Sequence, residues 1–180
     1  MEKSEEVRSV KGISTKILVR SAFLAALSIV LTRMLSVMLD PAHRIGFGTI
    51  PLMLSGLIYG PYIGGIVGLV SDLIGVMINP QGAFHFGFTL NAILTGVIPG
   101  VVKLLFLNGK RERPIVAIVL SNVLVMIIVY MILNTLWLSQ LLGKGMYALL
   151  ITRIPKSIVE CVVFSIIMIA LYKALKKTKF

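Results

Sequence analysis

The sequence predicts an all-α membrane protein: a bundle of six transmembrane helices with both termini in the cytoplasm. Three observations predict it. Apolar residues make up 57% of the chain and charged residues only 14%, whereas a soluble domain carries about 45–50% and about 25%. Six apolar stretches follow one another, most of them close to the roughly 20 residues that a helix needs to cross a bilayer. Eighteen Lys+Arg stand against seven Asp+Glu, a net charge of +11, and many of the cations sit at the ends of those stretches. An ordinary soluble enzyme is excluded. So is disorder, which needs low hydrophobicity. On a chain this apolar, basic charge is a signal of topology and not of nucleic-acid binding.

Residues 1–16 are polar and mixed in charge, with no small-residue cleavage site after them. They read as a short cytoplasmic segment and not as a signal peptide. Residues 17–180 then form the membrane domain, with spans expected at Ile17–Leu39, Thr49–Tyr59, Tyr62–Ile78, Phe86–Leu107, Ile115–Leu138 and Ile158–Leu175. The second is short, with Pro51 near its start and Gly56 and Gly60 toward its end. It spans with help from its flanks or lies as a thin helix packed inside protein. Six spans use up the chain and leave no room for a second, soluble domain.

Lys3, Arg8, Lys11, Lys16 and Arg20 precede span one. Lys103, Lys110, Arg111 and Arg113 bracket the hinge between spans four and five, and Lys173, Lys176, Lys177 and Lys179 close the chain. With six spans, these clusters fall on one side, the cytoplasm. Arg33, Arg44, Lys144, Arg153 and Lys156 lie toward the other side, where topology does not require them. Cys161 is the only cysteine and reads as a small hydrophobe in an apolar helix. No metal-ligand spacing, phosphate loop, nucleophile elbow or HExxH pair occurs. No cofactor, metal or catalytic residue is expected, and ATP-driven work would belong to another chain.

Ionisable groups inside a membrane are costly and mark functional sites by default. Arg153, Lys156 and Glu160 share one stripe of span six by their spacing of three, then four. Two neighbouring cations make sense if an anionic ligand joins them; the alternative is a snorkelling pair at the interface. Tyr130, Asn134 and Trp137 form a stripe on span five, read as a site wall or as an aromatic belt. Phe84, Phe88, Asn91 and Thr95 share a face of span four, where interhelical hydrogen bonding is the alternative. His85, beside that stripe at the helix mouth, is a ligand contact or a satisfied loop histidine, and the second reading is preferred. Asp72, midway along span three, either pairs with Arg33 of span one or bonds a ligand's donor edge; the two are compatible.

All these stripes lie in the expected outer half. The complementary ligand is a planar heteroaromatic with donor groups at one end and carboxylates at the other. The connections Asp40–Gly48 and Asn79–Ala83 carry Pro and Gly turn chemistry and suit a lid. Ala22 and Ala26 in span one form a small-xxx-small pair, a seam for another helix. On a straight helix they project to nearly the same side as Arg33, which is hard to reconcile with a partner seam and a pocket residue at once. Gly64 and Gly68 repeat the spacing in span three and read as an internal seam.

Several stretches resemble the substrate-binding S components of energy-coupling factor (ECF) vitamin transporters, and among them the folate-specific ones. They are Arg44-Ile-Gly-Phe-Gly-Thr-Ile-Pro51, Tyr59-Gly-Pro61, Asp72-Leu-Ile-Gly75 and Pro80-Gln-Gly-Ala-Phe-His-Phe-Gly-Phe-Thr-Leu-Asn91. The resemblance implies a high-affinity folate-binding subunit with no catalytic activity. It also implies partners: a transmembrane coupling subunit, docked on Ala22 and Ala26, and two ATPases. On that reading Phe84, Phe88, Tyr130 and Trp137 stack on the ligand's rings. Asp72, Asn91 and Asn134 bond the pterin edge, while Arg33, Arg153 and Lys156 meet the glutamate carboxylates. The competing readings are an S component for another vitamin, a self-sufficient transporter or channel, and an intramembrane enzyme. Against the last stands the absence of a Ser–His or paired-Asp constellation.

Overall fold

The computed structural model describes residues 14–40, 43–80, 84–107, 113–143 and 145–177. The N-terminal segment 1–13 lies outside them, as do Pro41, Ala42, 81–83, Lys110, Arg111, Lys144 and Lys179. Six helices follow in order: α1 Thr15–Met34, α2 Thr49–Tyr59, α3 Pro61–Ile78, α4 Phe86–Phe106, α5 Pro114–Leu142 and α6 Met146–Lys177. All but α2 are long and apolar enough to cross a membrane. The expected six-helix bundle is therefore present.

The boundaries have local causes. Proline opens α3 and α5, where its fixed φ suits the first turn and its missing N–H costs nothing. His85 caps α4, its Nδ1 accepting from the Gly87 N–H at 3.0 Å. Gly143, with φ 63°, ends α5 in the left-handed conformation that glycine adopts freely.

Three departures from the sequence reading stand out. Span one ends at Met34, not Leu39. The chain then turns into a short antiparallel hairpin, β1 Val37–Asp40 with β2 His43–Ile45, pairing Val37 with Ile45 and Met38 with Arg44. Span six begins at Met146, twelve residues before Ile158, and carries Pro155 inside it. Third, α1 and α5 are not α-helical throughout. Val30–Met34 and Val125–Leu133 are π-helical, with wider i→i+5 turns.

The π turn of α1 removes the conflict between its two faces. It takes up an extra residue, worth about 100° of rotation at 3.6 residues per turn. Arg33 is thereby buried while Ala22 and Ala26 remain exposed.

The core is built around α2. Ile50, Leu52, Met53, Leu54 and Leu57 are buried, with Met53 wholly so. Around it α3 and α4 pack backbone to backbone. A Cβ placed on Gly96 would fall 2.0 Å from the Gly64 carbonyl oxygen, so the small-residue spacing of Gly64 and Gly68 serves the internal seam. Lys103 donates to the Ile58 carbonyl and satisfies one of the open acceptors at the C-terminal end of α2. Helix α6 packs on α5 and on the edge of α2.

Candidate functional site

A cavity of about 880 Å³ lies at the end of the bundle where the α1–α2, α3–α4 and α5–α6 connections run. That size is typical of sites for small organic ligands. Each helix supplies part of the wall.

Helices α1 and α3 contribute an ion pair. Arg33 Nη2 donates to Asp72 Oδ1 at 3.1 Å, with the two side chains 9% and 13% exposed. Asn79 locks the pair from the end of α3: its Nδ2 donates to the Arg33 carbonyl at 3.0 Å, and its own carbonyl accepts from Arg33 Nη1. The Thr89 hydroxyl of α4 donates to Asp72 Oδ2 at 2.8 Å. Both Asp72 oxygens thus have a donor inside the protein, as a buried carboxylate requires. Replacing Thr89 with Val keeps the shape and removes that donor. We expect a stability loss of about 1–3 kcal/mol. That is a fall in Tm of several degrees at roughly 2–4 °C per kcal/mol, read by thermal melting of the detergent-purified chain. An unchanged Tm would mean that Asp72 does not depend on Thr89.

Helix α4 contributes Phe88, Asn91 and Thr95 on one face. Phe84 also reaches the cavity, but from the connection two residues before the helix, where it meets Phe86 edge-on at 5.1 Å. Helix α5 contributes Tyr130, inside the π-helical stretch, and Asn134, the first residue after it. The Tyr130 hydroxyl is hydrogen-bonded to Thr49 at the start of α2.

Helix α6 contributes the cations. Arg153 is only 6% exposed and donates to Thr135 Oγ1 at 3.2 Å. Lys156 pairs with Glu160 at 3.3 Å one turn on. Taken with Arg33 and Asp72, the described Arg, Lys, Asp and Glu side chains of the wall are three cations and two carboxylates, beside the ionisable His85 and Tyr130.

Nine of the ten expected ligand residues line this one cavity: Arg33, Asp72, Phe84, Phe88, Asn91, Tyr130, Asn134, Arg153 and Lys156. Trp137 stands behind the wall, its indole Nε1–H donating to Asn91 Oδ1 at 3.2 Å. His85, read as a loop histidine, is both a helix cap and part of the cavity wall. The sequence reading passed over Thr89, Thr49 and Ser157. Thr89 lies off the α4 stripe; its only signal was a mid-helix carboxylate that needed a second donor. No group of three or more His, Cys, Asp or Glu suitable for a metal occurs among the described residues. The expected seam residues Ala22 and Ala26 face outward, away from the cavity, beside the exposed Phe23 and Leu27.

Comparison with known proteins gives consistent relatives. Residues 12–177 match the family described as "ECF-type riboflavin transporter, S component". The chain is 41% identical over 160 residues to the folate transporter FolT of Clostridium novyi, covering 89% of this chain and 88% of that protein. Its fold matches a crystal structure of FolT bound with folic acid, with a TM-score of 0.76 at 30% identity, over 88% of this chain and 93% of the other. It also matches the S component of a bacterial ECF transporter, with a TM-score of 0.63 at 24% identity over 91% and 96% of the two chains.

Proposed function

This chain belongs to the S components of ECF-type vitamin transporters, and we propose that the vitamin it captures is folate. The observation that carries the reading is the charge of the cavity wall. Arg153 and Lys156 come from adjacent turns of α6 into one apolar, aromatic-lined space. Even with Lys156 paired to Glu160 and Arg33 to Asp72, the Arg and Lys of the wall outnumber its carboxylates three to two, which favours an anionic ligand. Riboflavin, the vitamin in the family's description, is uncharged at neutral pH and brings no carboxylate to this wall. Folate offers a flat pteridine and aminobenzoyl ring for Phe84, Phe88 and Tyr130, and two carboxylates for Arg153, Lys156 and Arg33. Trp137 enters this site indirectly, through Asn91.

On this reading the cavity opens to the outside of a bacterial cell membrane, with the N-terminus in the cytoplasm. The outward-facing Ala22 and Ala26 are the seam for a transmembrane coupling subunit, which works with two ATPases. The S component binds and delivers; it is not an enzyme.

The deciding experiment is a titration of the detergent-purified chain with a vitamin panel that includes folic acid and riboflavin. It is followed by the fluorescence of Trp137, the only tryptophan, and checked by calorimetry. Saturable binding of folic acid alone is expected. Preferential binding of riboflavin would keep the family and overturn the folate assignment.

A further inference from the structure

Trp137 is the expected aromatic that does not line the cavity, yet it is tied to the wall at three points. Its Nε1–H donates to Asn91 Oδ1. Its ring lies 5.3 Å from that of His85, at 37°. It also rests on the bare backbone of Gly87, where a Cβ would fall 2.3 Å from Trp137 Cδ2. The indole is clamped against the first turn of α4, so the direction of its N–H is fixed.

That direction has consequences further along. An indole N–H can only donate, so the atom that Asn91 turns toward it is the carbonyl oxygen. Asn91 Nδ2 then faces the other way, 3.5 Å from Asn134 Oδ1. This turns Asn134 Nδ2 away from Asn91 along the wall that both asparagines line. One fixed N–H therefore sets the orientation of two amides in series.

We propose that Trp137 is a positioning residue that fixes the hydrogen-bond polarity of the Asn91–Asn134 pair. This wall then offers N–H donors and selects ligands that present acceptor atoms to it. The inference rests on the folate reading, in which the acceptors are those of the pteridine: the C4 carbonyl oxygen and the ring nitrogens. Opposing a donor to this wall, or deleting the acceptor, leaves a buried N–H unpaired, which costs more than the hydrogen bond itself contributes. Without the indole N–H, the described side-chain hydrogen bond left to the Asn91 amide is the 3.5 Å contact with Asn134, and the two amides can flip together between nearly isosteric orientations. The wall then becomes indifferent to polarity.

The test is calorimetric titration of the wild-type chain, Trp137→Phe and Asn91→Asp with four compounds. These are folic acid, its 4-amino analogue, and the 5-deaza and 8-deaza analogues, which each remove or reverse one acceptor. The wild-type chain is expected to disfavour at least one analogue by about tenfold or more. In Trp137→Phe that ratio should shrink severalfold. In Asn91→Asp the new oxygen accepts from Asn134 Nδ2, which turns Asn134 Oδ1 into the cavity, and the ratio should shrink further or invert. A purely structural role for Trp137 would weaken all four compounds alike and leave the ratios unchanged. Unchanged ratios in the folded variants overturn the proposal, as does a wild-type chain indifferent to all three analogues. Asn91→Asp carries the test if Trp137→Phe does not fold. Failure of the folded wild-type chain to bind any of the four sinks the folate reading itself.

Discussion

Replacing Arg153 with Ala will weaken folate binding by more than about tenfold while leaving the bundle folded. Truncating one partner of a desolvated, hydrogen-bonded charge pair costs about 2–5 kcal/mol. Much of that is the penalty for the carboxylate left behind in a dry site. Arg153 meets this description: it is buried, lines the cavity and is aimed by the Thr135 hydroxyl. Arg153→Lys keeps the charge but lacks the planar fork and the same reach to Thr135, and should fall between the two. Calorimetry gives the affinities, and a thermal melt without ligand separates lost binding from lost folding. Wild-type affinity in well-folded Arg153→Ala would remove this residue from the ligand's contacts.

Gly96→Val will prevent the bundle from forming. Any side chain at this position must occupy the space now held by the Gly64 carbonyl, 2.0 Å from the added Cβ. The obstruction is backbone on a neighbouring helix, so no rotamer change relieves it. Overpacking a core by a few methyl groups already costs about 1–3 kcal/mol. Here α3 and α4 must separate, and each carries part of the cavity wall. Loss of a monodisperse species on size-exclusion chromatography, together with loss of folate binding, is the expected result. Gly145→Ala is the control: an added Cβ meets nothing within 4 Å, and the protein should behave as wild type. A folded, ligand-binding Gly96→Val would mean that the two helices do not pack as closely as described.

The helices were legible in the sequence because apolar runs bounded by proline, glycine and charge have few other solutions in a membrane. The second span was read at its observed bounds, Thr49–Tyr59. Span six was read short because Arg153, Pro155 and Lys156 interrupt the apolar run, although they sit within one continuous helix. Periodicity finds what faces lipid, whereas Arg153 and Lys156 face a cavity and Pro155 lies on the exposed side between them. The hairpin was missed for a related reason. Val37–Leu39 is as apolar as the helix before it, and only strand pairing across the turn distinguishes the two. The candidate site was legible residue by residue, since polar groups on a common face and depth of an apolar helix have few reasons to be there. The π turns were not, because nothing in Val30–Met34 announces a wider winding. That hidden turn is what allows Arg33 and the alanine pair to face different ways on one helix. Trp137 shares the stripe of Tyr130 and Asn134 but reaches the wall through Asn91; spacing fixes direction and not depth.

The dimensions of α2 bear on how the protein is made. Eleven residues at 1.5 Å each give a helix about 16 Å long, roughly half the hydrocarbon thickness of a bilayer. Its run Ile50–Leu57 is buried by protein on every side. As a nascent segment it is too short to be stitched across the membrane alone by the insertion machinery. Its lodging place is the shared surface of α3 and α4, which emerge from the ribosome after it. Biogenesis therefore cannot proceed strictly from first helix to last. The topology of α2 is settled only when its downstream neighbours arrive, and the ligand chamber, which takes its floor from Thr49 and Leu52, closes with that step.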